Sequence, residues 1–237
     1  MPIDRRDFLR AGSLALAAAA LEACDSRGPR SASKLLAFAE RRNETVERGL
    51  FRHRSMDRVD AGARAAGAAF PMYYISKQPP VWDPKLVGAW TLEVTGAVQR
   101  PLTLTLEQLA ALPGVSQRVN HYCVEGWTAV AEWRGVLVSE LARLAGITPD
   151  AGYVDFQSFD DGYHESWDLE SAMHPQTLVA YAMDGRWLGV GHGAPARIHS
   201  PVKLGYKNTK YLTRIVFMPQ RNGGYWSDVG YEWYGGV

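Results

Sequence analysis

Cys123 sits in the run His121-Tyr-Cys-Val-Glu-Gly-Trp127, and the chain has two cysteines, the other being Cys24. Cys24 falls in a segment that reads as an export signal, so Cys123 has no internal disulfide partner in the mature protein. Such a thiol is open to three chemistries: inert core filling, a nucleophile, or a ligand for a soft metal. His121 lies two residues away. On a strand that spacing puts both side chains on one face without fixing a nucleophile–base geometry, so the pair is a weak signature of a cysteine hydrolase.

A second stretch concentrates charge among glycines: His192-Gly-Ala-Pro-Ala-Arg197, then Lys203-Leu-Gly-Tyr-Lys207-Asn-Thr-Lys210. Glycines permit close backbone approach, and amides with Lys and Arg together make a seat for an anion. Arg offers a planar fork matched to phosphate, Lys a point charge. Taken alone, the stretch fits a basic surface loop equally well. Other chemistries have no motif in this chain. No Gly-x-Gly-x-x-Gly opens a helix, no Walker A loop occurs, and neither a Cys-x-x-Cys pair nor a Gly-x-Ser-x-Gly elbow is present. With 26 basic and 25 acidic residues, a formal charge of +1 gives no electrostatic footprint for nucleic acid.

These residues need a scaffold, and the chain reads as one domain behind an export segment. Arg5-Arg6-Asp7-Phe8-Leu9-Arg10 precedes an alanine-rich run from Ala11 to Ala23. That run is too short for a transmembrane helix, which needs about 20 apolar residues. A charged start followed by a short apolar core is signal-peptide order, and twin arginines ahead of Phe-Leu mark the Tat type. Leu21-Glu22-Ala23-Cys24 has lipobox spacing, with Glu22 out of character, so a lipid anchor at Cys24 stays open. Residues 1–33 are expected to be signal and tether, 34–69 a charged helical segment, and 70–237 the globular domain. The charge run from Lys34 to about Arg64 is read as a solvated face.

Within the domain, the alternation of Trp90-Thr-Leu-Glu-Val-Thr95 predicts a half-buried strand ending at Gly96. Thr105, ahead of Leu-Glu-Gln-Leu-Ala-Ala-Leu112 and Pro113, predicts a capped short helix. A second helix is predicted from Val136 to Ala145. Further strands are expected at 118–122, 153–159, 177–181, 196–199 and 211–218, with a hairpin turn at Asp184-Gly185. Helices scattered between strands, without strict alternation, predict an α+β domain with mixed sheets. Eight tryptophans and eleven tyrosines crowd the carboxyl-terminal half, as core or as pocket lining.

Taken together, these segments resemble the sulfite oxidase superfamily of molybdopterin-dependent oxidoreductases, from about Phe70 to Tyr231. The resemblance is carried by Cys-Val-Glu-Gly-Trp at 123–127, Asp161-Gly-Tyr-His-Glu-Ser166, Tyr181-Ala-Met-Asp-Gly185, His192-Gly-Ala-Pro-Ala-Arg197 and Gly205-Tyr-Lys-Asn-Thr-Lys210, with Gly224-Tyr-Trp and Gly230-Tyr231 near the end. It implies a molybdopterin-binding fold with short helices, a molybdenum–molybdopterin cofactor, and Cys123 as catalytic metal ligand. It further implies pterin or phosphate contacts at Tyr73, Tyr74, Ser158, His192, Arg197, Asn208, Thr209 and Lys210. Tyr163 falls where the family places a phenol near the oxygen being transferred, in the role of a hydrogen-bond donor.

The reaction so implied is two-electron oxygen-atom transfer. Sulfite oxidases gather arginines around the metal, whereas this chain carries Ser76, Glu132, Ser227 and Asp228 at the aligned positions. A carboxylate facing a dianion is repulsive, which points away from sulfite and toward the superfamily's exported reductases of neutral S-oxides. These include the catalytic subunit of the periplasmic protein-methionine-sulfoxide reductase. His192, in an oxidase-like motif, keeps a sulfite dehydrogenase as the alternative. A cofactor-free envelope binding protein and a cysteine-nucleophile enzyme are the readings from other classes. The expected partners are a separate electron-transfer protein (a membrane haem protein or soluble cytochrome), a small-molecule or protein-bound S-oxide, and the Tat machinery. The expected state is a periplasmic monomer.

Overall fold

The computed structural model describes residues 33–51 and 70–237. The expected signal and tether at 1–32 and the remainder of the helical segment at 52–69 lie outside the described residues. Helix Ser33–Phe51 carries Leu35, Leu36, Phe38, Val46 and Leu50 exposed, and an i,i+4 ion pair joins Glu44 to Arg48 at 2.7 Å. No helix among the described residues is long and apolar enough to cross a membrane.

The second unit is built on two five-stranded sheets. The first runs β2 (Leu102–Thr105), β1 (Thr91–Gly96), β10 (Leu212–Met218), β5 (Tyr153–Ser158), β6 (His164–Asp168). Its one parallel pair is β1 with β10, which makes it a mixed sheet. The second runs β3 (Gly114–Tyr122), β4 (Thr128–Leu137), β7 (Leu178–Met183), β8 (Arg186–Trp187), with β9 (Arg197–His199) paired to β7. The α+β expectation is met.

Alternation explains the first sheet: Leu92 and Val94 of β1 are fully buried while Thr91, Glu93 and Thr95 are half-buried. They join Val154, Phe156, Ile215 and Phe217 in the main core, where Val136, Val179, Tyr181 and Ile198 of the second sheet meet them. The far face of the second sheet holds a smaller core around Phe70, Val119, Trp133 and Ala180. With apolar neighbours on both faces, β7 is a run of Leu-Val-Ala-Tyr-Ala, all buried.

The predicted cap is present. Thr105 Oγ1 accepts the Gln108 amide at 3.2 Å, and Gln108 Oε1 accepts the Thr105 amide at 2.8 Å, opening helix Leu106–Ala111. The Asp184-Gly185 turn closes the β7–β8 hairpin, both residues holding positive φ. The second predicted helix starts later than expected, at Val138. Val136 and Leu137 belong to β4 because they pair with Val179 and Leu178 of β7. Gly135 is needed there: a Cβ on it would lie 2.2 Å from the Val179 carbonyl oxygen, where the ladder shifts register.

Candidate functional site

Cys123 stands at the tip of the β3–β4 hairpin. Its amide donates to the Trp127 carbonyl at 2.9 Å and its carbonyl accepts the Gly126 amide at 3.0 Å, so the turn fixes its backbone on both sides. Gly126 takes the positive φ, 86°, that closes this turn. Gly205 brings a second segment against the hairpin, for a Cβ there would stand 2.8 Å from His121 Nε2. The glycine in that motif, itself a lining residue of the cavity beside the thiol, therefore also permits close packing within the chain.

Burial pushes the Cys123 thiol above its ordinary pKa; the amides of Glu125 and Val124 oppose this, and the Glu125 charge adds to it. His121, in turn, is held neutral: burial first, then Arg197 and Lys210, lower it to about 3. Among the described residues no hydrogen bond joins this thiol to His121. The cysteine-nucleophile reading thus lacks both its base and the cation that would stabilise a thiolate.

A cavity of about 440 Å³ opens beside the thiol, within the size range of cofactor sites. Cys123, Glu125 and Trp127 line it, as do the exposed Tyr73 and Tyr74. Tyr73 stacks on Trp127 with ring centres 5.9 Å apart. Its lining also brings Arg197 from β9 together with Asn208, Lys210 and Tyr211. Aromatic rings complete it: Tyr163 stacks on Tyr225 at 5.4 Å, and Trp226 and Tyr231 continue the surface.

Arg197 is 1% exposed and sits over the Trp133 ring at 5.0 Å. It spends its donors on carbonyls of Ile198, His192 and Asn208, with no carboxylate in ion-pair range among the described residues. Burial lowers its pKa to about 10. Lys210 reaches the carbonyls of Tyr73 and Gly191, and burial, then the Arg197 charge, lower it to about 7. Fully buried Arg197 and half-buried Lys210 give their donors to backbone carbonyls, and among the described residues neither is in an ion pair, which suits an anionic ligand.

Seven of the sequence-predicted site residues line this cavity: Tyr73, Tyr74, Cys123, Tyr163, Arg197, Asn208 and Lys210. Ser158, His192 and Thr209 stand off its lining. Ser158 Oγ accepts the Asp160 amide at 2.9 Å and so shapes the loop that carries Asp160 and Tyr163. Asn208 presents its backbone side, because its side-chain amide is committed to Ser200, Lys203 and Leu204. The Tyr163 phenol donates its O–H to the Tyr206 carbonyl at 2.7 Å, which leaves its oxygen only as an acceptor where a donor was expected.

The expected three-lysine anion seat also needs correction. Lys203 and Lys207 are fully buried and face away from the cavity, paired with Asp168 at 2.9 Å and Glu165 at 2.6 Å. Their carboxylates lie 35 and 42 residues away in sequence. These pairs tie down the carboxyl-terminal segment: Lys203 Nζ donates to the Tyr234 carbonyl, and Glu165 accepts the Trp226 amide. Sequence reading missed this role, and it missed Trp127, Asp160, Tyr211, Tyr225 and Trp226 as cavity residues. None of them lies in a local pattern that separates pocket from core.

Several buried polar atoms here lack a partner: His192 Nδ1, Thr209 Oγ1, the Tyr211 hydroxyl, and both ring nitrogens of His199. Such atoms are costly unless a bound group or water meets them, so the residues present fit a polar, anionic cofactor. The positions aligned with sulfite-oxidase arginines bring no cation in. Ser76 donates to Asp160, Glu132 is exposed on β4, and neither Ser227 nor Asp228 lines the cavity. Glu125, Asp160, Arg197 and Lys210 are its charged groups, balanced in sign.

A cleft lined by one thiol and by cations outside any ion pair among the described residues has the make-up of a protein that holds an anionic, metal-bearing cofactor. Residues 77–226 match the family model for the oxidoreductase molybdopterin-binding domain, and the chain belongs to that family of oxidoreductases. A chain of Azospira oryzae named provisionally as a protein-methionine-sulfoxide reductase subunit is 44% identical over 148 residues, 62% of this chain and 56% of that one. The protein-methionine-sulfoxide reductase catalytic subunit of Gluconobacter oxydans is 32% identical over 163 residues, 62% of this chain and 52% of that one. This chain thus spans about half the length of both relatives. The sulfane dehydrogenase SoxCD of Paracoccus pantotrophus shares the fold, with a TM-score of 0.53 and 23% identity over 55% of this chain and 38% of that one.

Proposed function

We propose that this chain is an exported molybdenum–molybdopterin enzyme that reduces an S-oxide with electrons from a separate haem protein. The observation that carries this reading is the charge balance of the cleft. Arg197 and Lys210 suit an anionic cofactor, Glu125 and Asp160 leave the lining without an excess of positive charge, and much of the remainder is aromatic. A neutral, polarised substrate suits such a mouth; a dianion does not.

In this reading Cys123 Sγ is the protein's ligand to molybdenum, and the hairpin that fixes its backbone sets the metal's position. Coordination keeps the sulfur deprotonated against the burial that would otherwise protonate it. Arg197 and Lys210 hold the anionic part of the pterin, with His192 and Thr209 supplying polar atoms behind it. Asn208 shapes this end through its side-chain hydrogen bonds to Ser200, Lys203 and Leu204, and Tyr73 and Tyr74 contribute their rings to the lining. The bound group supplies two-electron oxygen-atom transfer. The balanced reaction takes a sulfoxide, two electrons and two protons to a sulfide and water. Tyr163, its O–H donated to the Tyr206 carbonyl, keeps its ring against Tyr225 and contributes an apolar face to the cleft.

We assign residues 1–33 to a Tat signal and tether, 34–69 to a helical connector and 70–237 to the catalytic domain, with the periplasm as the compartment. Sulfite oxidation is the second reading, favoured by His192 in its oxidase-like motif.

The test is purification of the full chain from a molybdenum-replete host, with metal analysis and steady-state assays on methionine sulfoxide and on sulfite. One molybdenum per chain and turnover of the sulfoxide are expected. Cys123→Ser should keep the wild-type circular dichroism spectrum and lose both metal and activity. Metal-free wild-type protein favours the binding-protein reading, and micromolar KM for sulfite favours the oxidase.

A further inference from the structure

Tyr211 combines a strained backbone with an unsatisfied side chain. Its φ is +56°, in the left-handed region that bulky side chains avoid. Its carbonyl accepts the Phe159 amide at 2.9 Å, its amide donates to the Gly193 carbonyl at 3.4 Å, and Leu212 beyond it is locked to Ala196 at 2.9 Å. The surrounding chain therefore enforces the conformation. In an extended strand, consecutive side chains point to opposite faces. Here Lys210 and Tyr211, in the bend that leads into β10, both line the cavity.

The residue is 2% exposed, and its hydroxyl has no hydrogen-bond partner. The ring rests against Phe159, with centres 5.4 Å apart. The charged and phenolic groups that act on its hydroxyl are Asp160, Arg197 and Tyr74, all of them cavity residues. Burial, with Asp160, raises its pKa to about 12, so the phenol keeps its proton and stays a donor. Tyr163 also keeps its proton, but its O–H is already engaged, donating to the Tyr206 carbonyl. A buried donor left unpaired is a standing cost, and strain at a cavity wall persists where the fold holds it in place.

We propose that Tyr211 is a binding residue of this cleft, its phenol donating a hydrogen bond to an acceptor atom of the molybdopterin held by Arg197 and Lys210. The inference rests on the cofactor reading above and adds to it a contact that neither motif nor charge points to. Its consequence is opposite in the two forms of the protein. With cofactor bound, the hydroxyl has a partner and contributes to retention; without it, the hydroxyl is a burden on the fold.

Tyr211→Phe separates the two, because it removes one oxygen and keeps the ring. The full-length chain is prepared with cofactor from a replete host and without it from a host unable to make molybdopterin. Cofactor-free Tyr211→Phe is expected to melt at or above the wild-type temperature. Loaded Tyr211→Phe is expected to release molybdenum and pterin about tenfold faster than wild type, the scale of one hydrogen bond to a polar or charged acceptor. Equal release rates overturn this inference while leaving the cofactor reading intact. So does a lower melting temperature of the cofactor-free variant, which would place the hydroxyl's partner within the protein. Wild-type chain that acquires no molybdenum or pterin in the replete host overturns the cofactor reading, and this inference with it.

Discussion

Replacing Lys207 with methionine strips the cation from a carboxylate that cannot reach water. Lys207 and Glu165 are both fully buried and joined at 2.6 Å, and Glu165 also accepts the Trp226 amide at 2.9 Å. Burial already pushes the Glu165 carboxyl toward its protonated form, and the Lys207 ammonium and Trp226 amide oppose that push. Without Lys207, the least costly relief is to bind a proton. Near neutral pH this costs ~1.4 kcal/mol for each pH unit above the ordinary carboxyl value of 4.5, roughly 3 kcal/mol in all. That figure lies at the lower end of the ~3–5 kcal/mol typical when one member of a buried pair is deleted.

The folded variant then holds one proton more than the unfolded chain, so its stability falls by ~1.4 kcal/mol for each unit of rising pH. A loss of roughly 3 kcal/mol lowers Tm by about 6–12 °C in a chain of this size. Adding Glu165→Gln removes the stranded charge and keeps an amide oxygen for the Trp226 N–H, so the double variant should recover most of the loss. The measurement is a urea-melt cycle over wild type, both singles and the double, at about pH 5.5 and about pH 7.5. A coupling below ~0.5 kcal/mol, or a Lys207→Met loss that is the same at both pH values, refutes the reasoning.

Two further perturbations probe the scaffold. Gly135→Ala would set a Cβ 2.2 Å from the Val179 carbonyl oxygen and 2.7 Å from the Ala180 Cα, and neighbouring backbone cannot yield as a side-chain tip can. A loss of about 2–3 kcal/mol is expected in a urea melt, and an unchanged midpoint would show that the β4–β7 ladder can shift. His164 is raised from its ordinary value, first by its hydrogen bond to Asp155 at 2.9 Å, against the opposing effect of burial. That contribution is complete below the ordinary value of 6.5 and is lost as pH rises through the raised one. The stability gap between wild type and His164→Gln should therefore narrow with rising pH, and a gap independent of pH would remove His164 as its source.

The sequence was a sound guide where a local pattern carried the information. The capping box at Thr105, the hairpin at Asp184-Gly185 and the alternation of β1 are each set by neighbours a few residues apart. It failed at β4 and β6. Thr-Ala-Val-Ala-Glu-Trp-Arg-Gly-Val-Leu has a broken alternation, and it becomes a strand because β3 and β7 pair with it on either side. No strand was expected at His-Glu-Ser-Trp-Asp, yet β6 is mostly buried, with Glu165 and Asp168 paired to lysines from a distant segment.

By itself, then, the sequence determined the α+β class, the family, and the residue types a cofactor site needs: one thiol, an arginine and lysines among glycines. What it could not determine was which of those groups face the cleft. Lys203, Lys207 and Lys210 are alike as letters, but the first two meet carboxylates in the interior and the third lines the cavity. Tyr163 and Tyr211 are likewise the same residue, and only the tertiary structure commits one hydroxyl to a backbone carbonyl and leaves the other unpaired. The reason is physical. Burial and hydrogen-bond partnership depend on groups brought together from many tens of residues away, and those partnerships decide which side chain is free to bind.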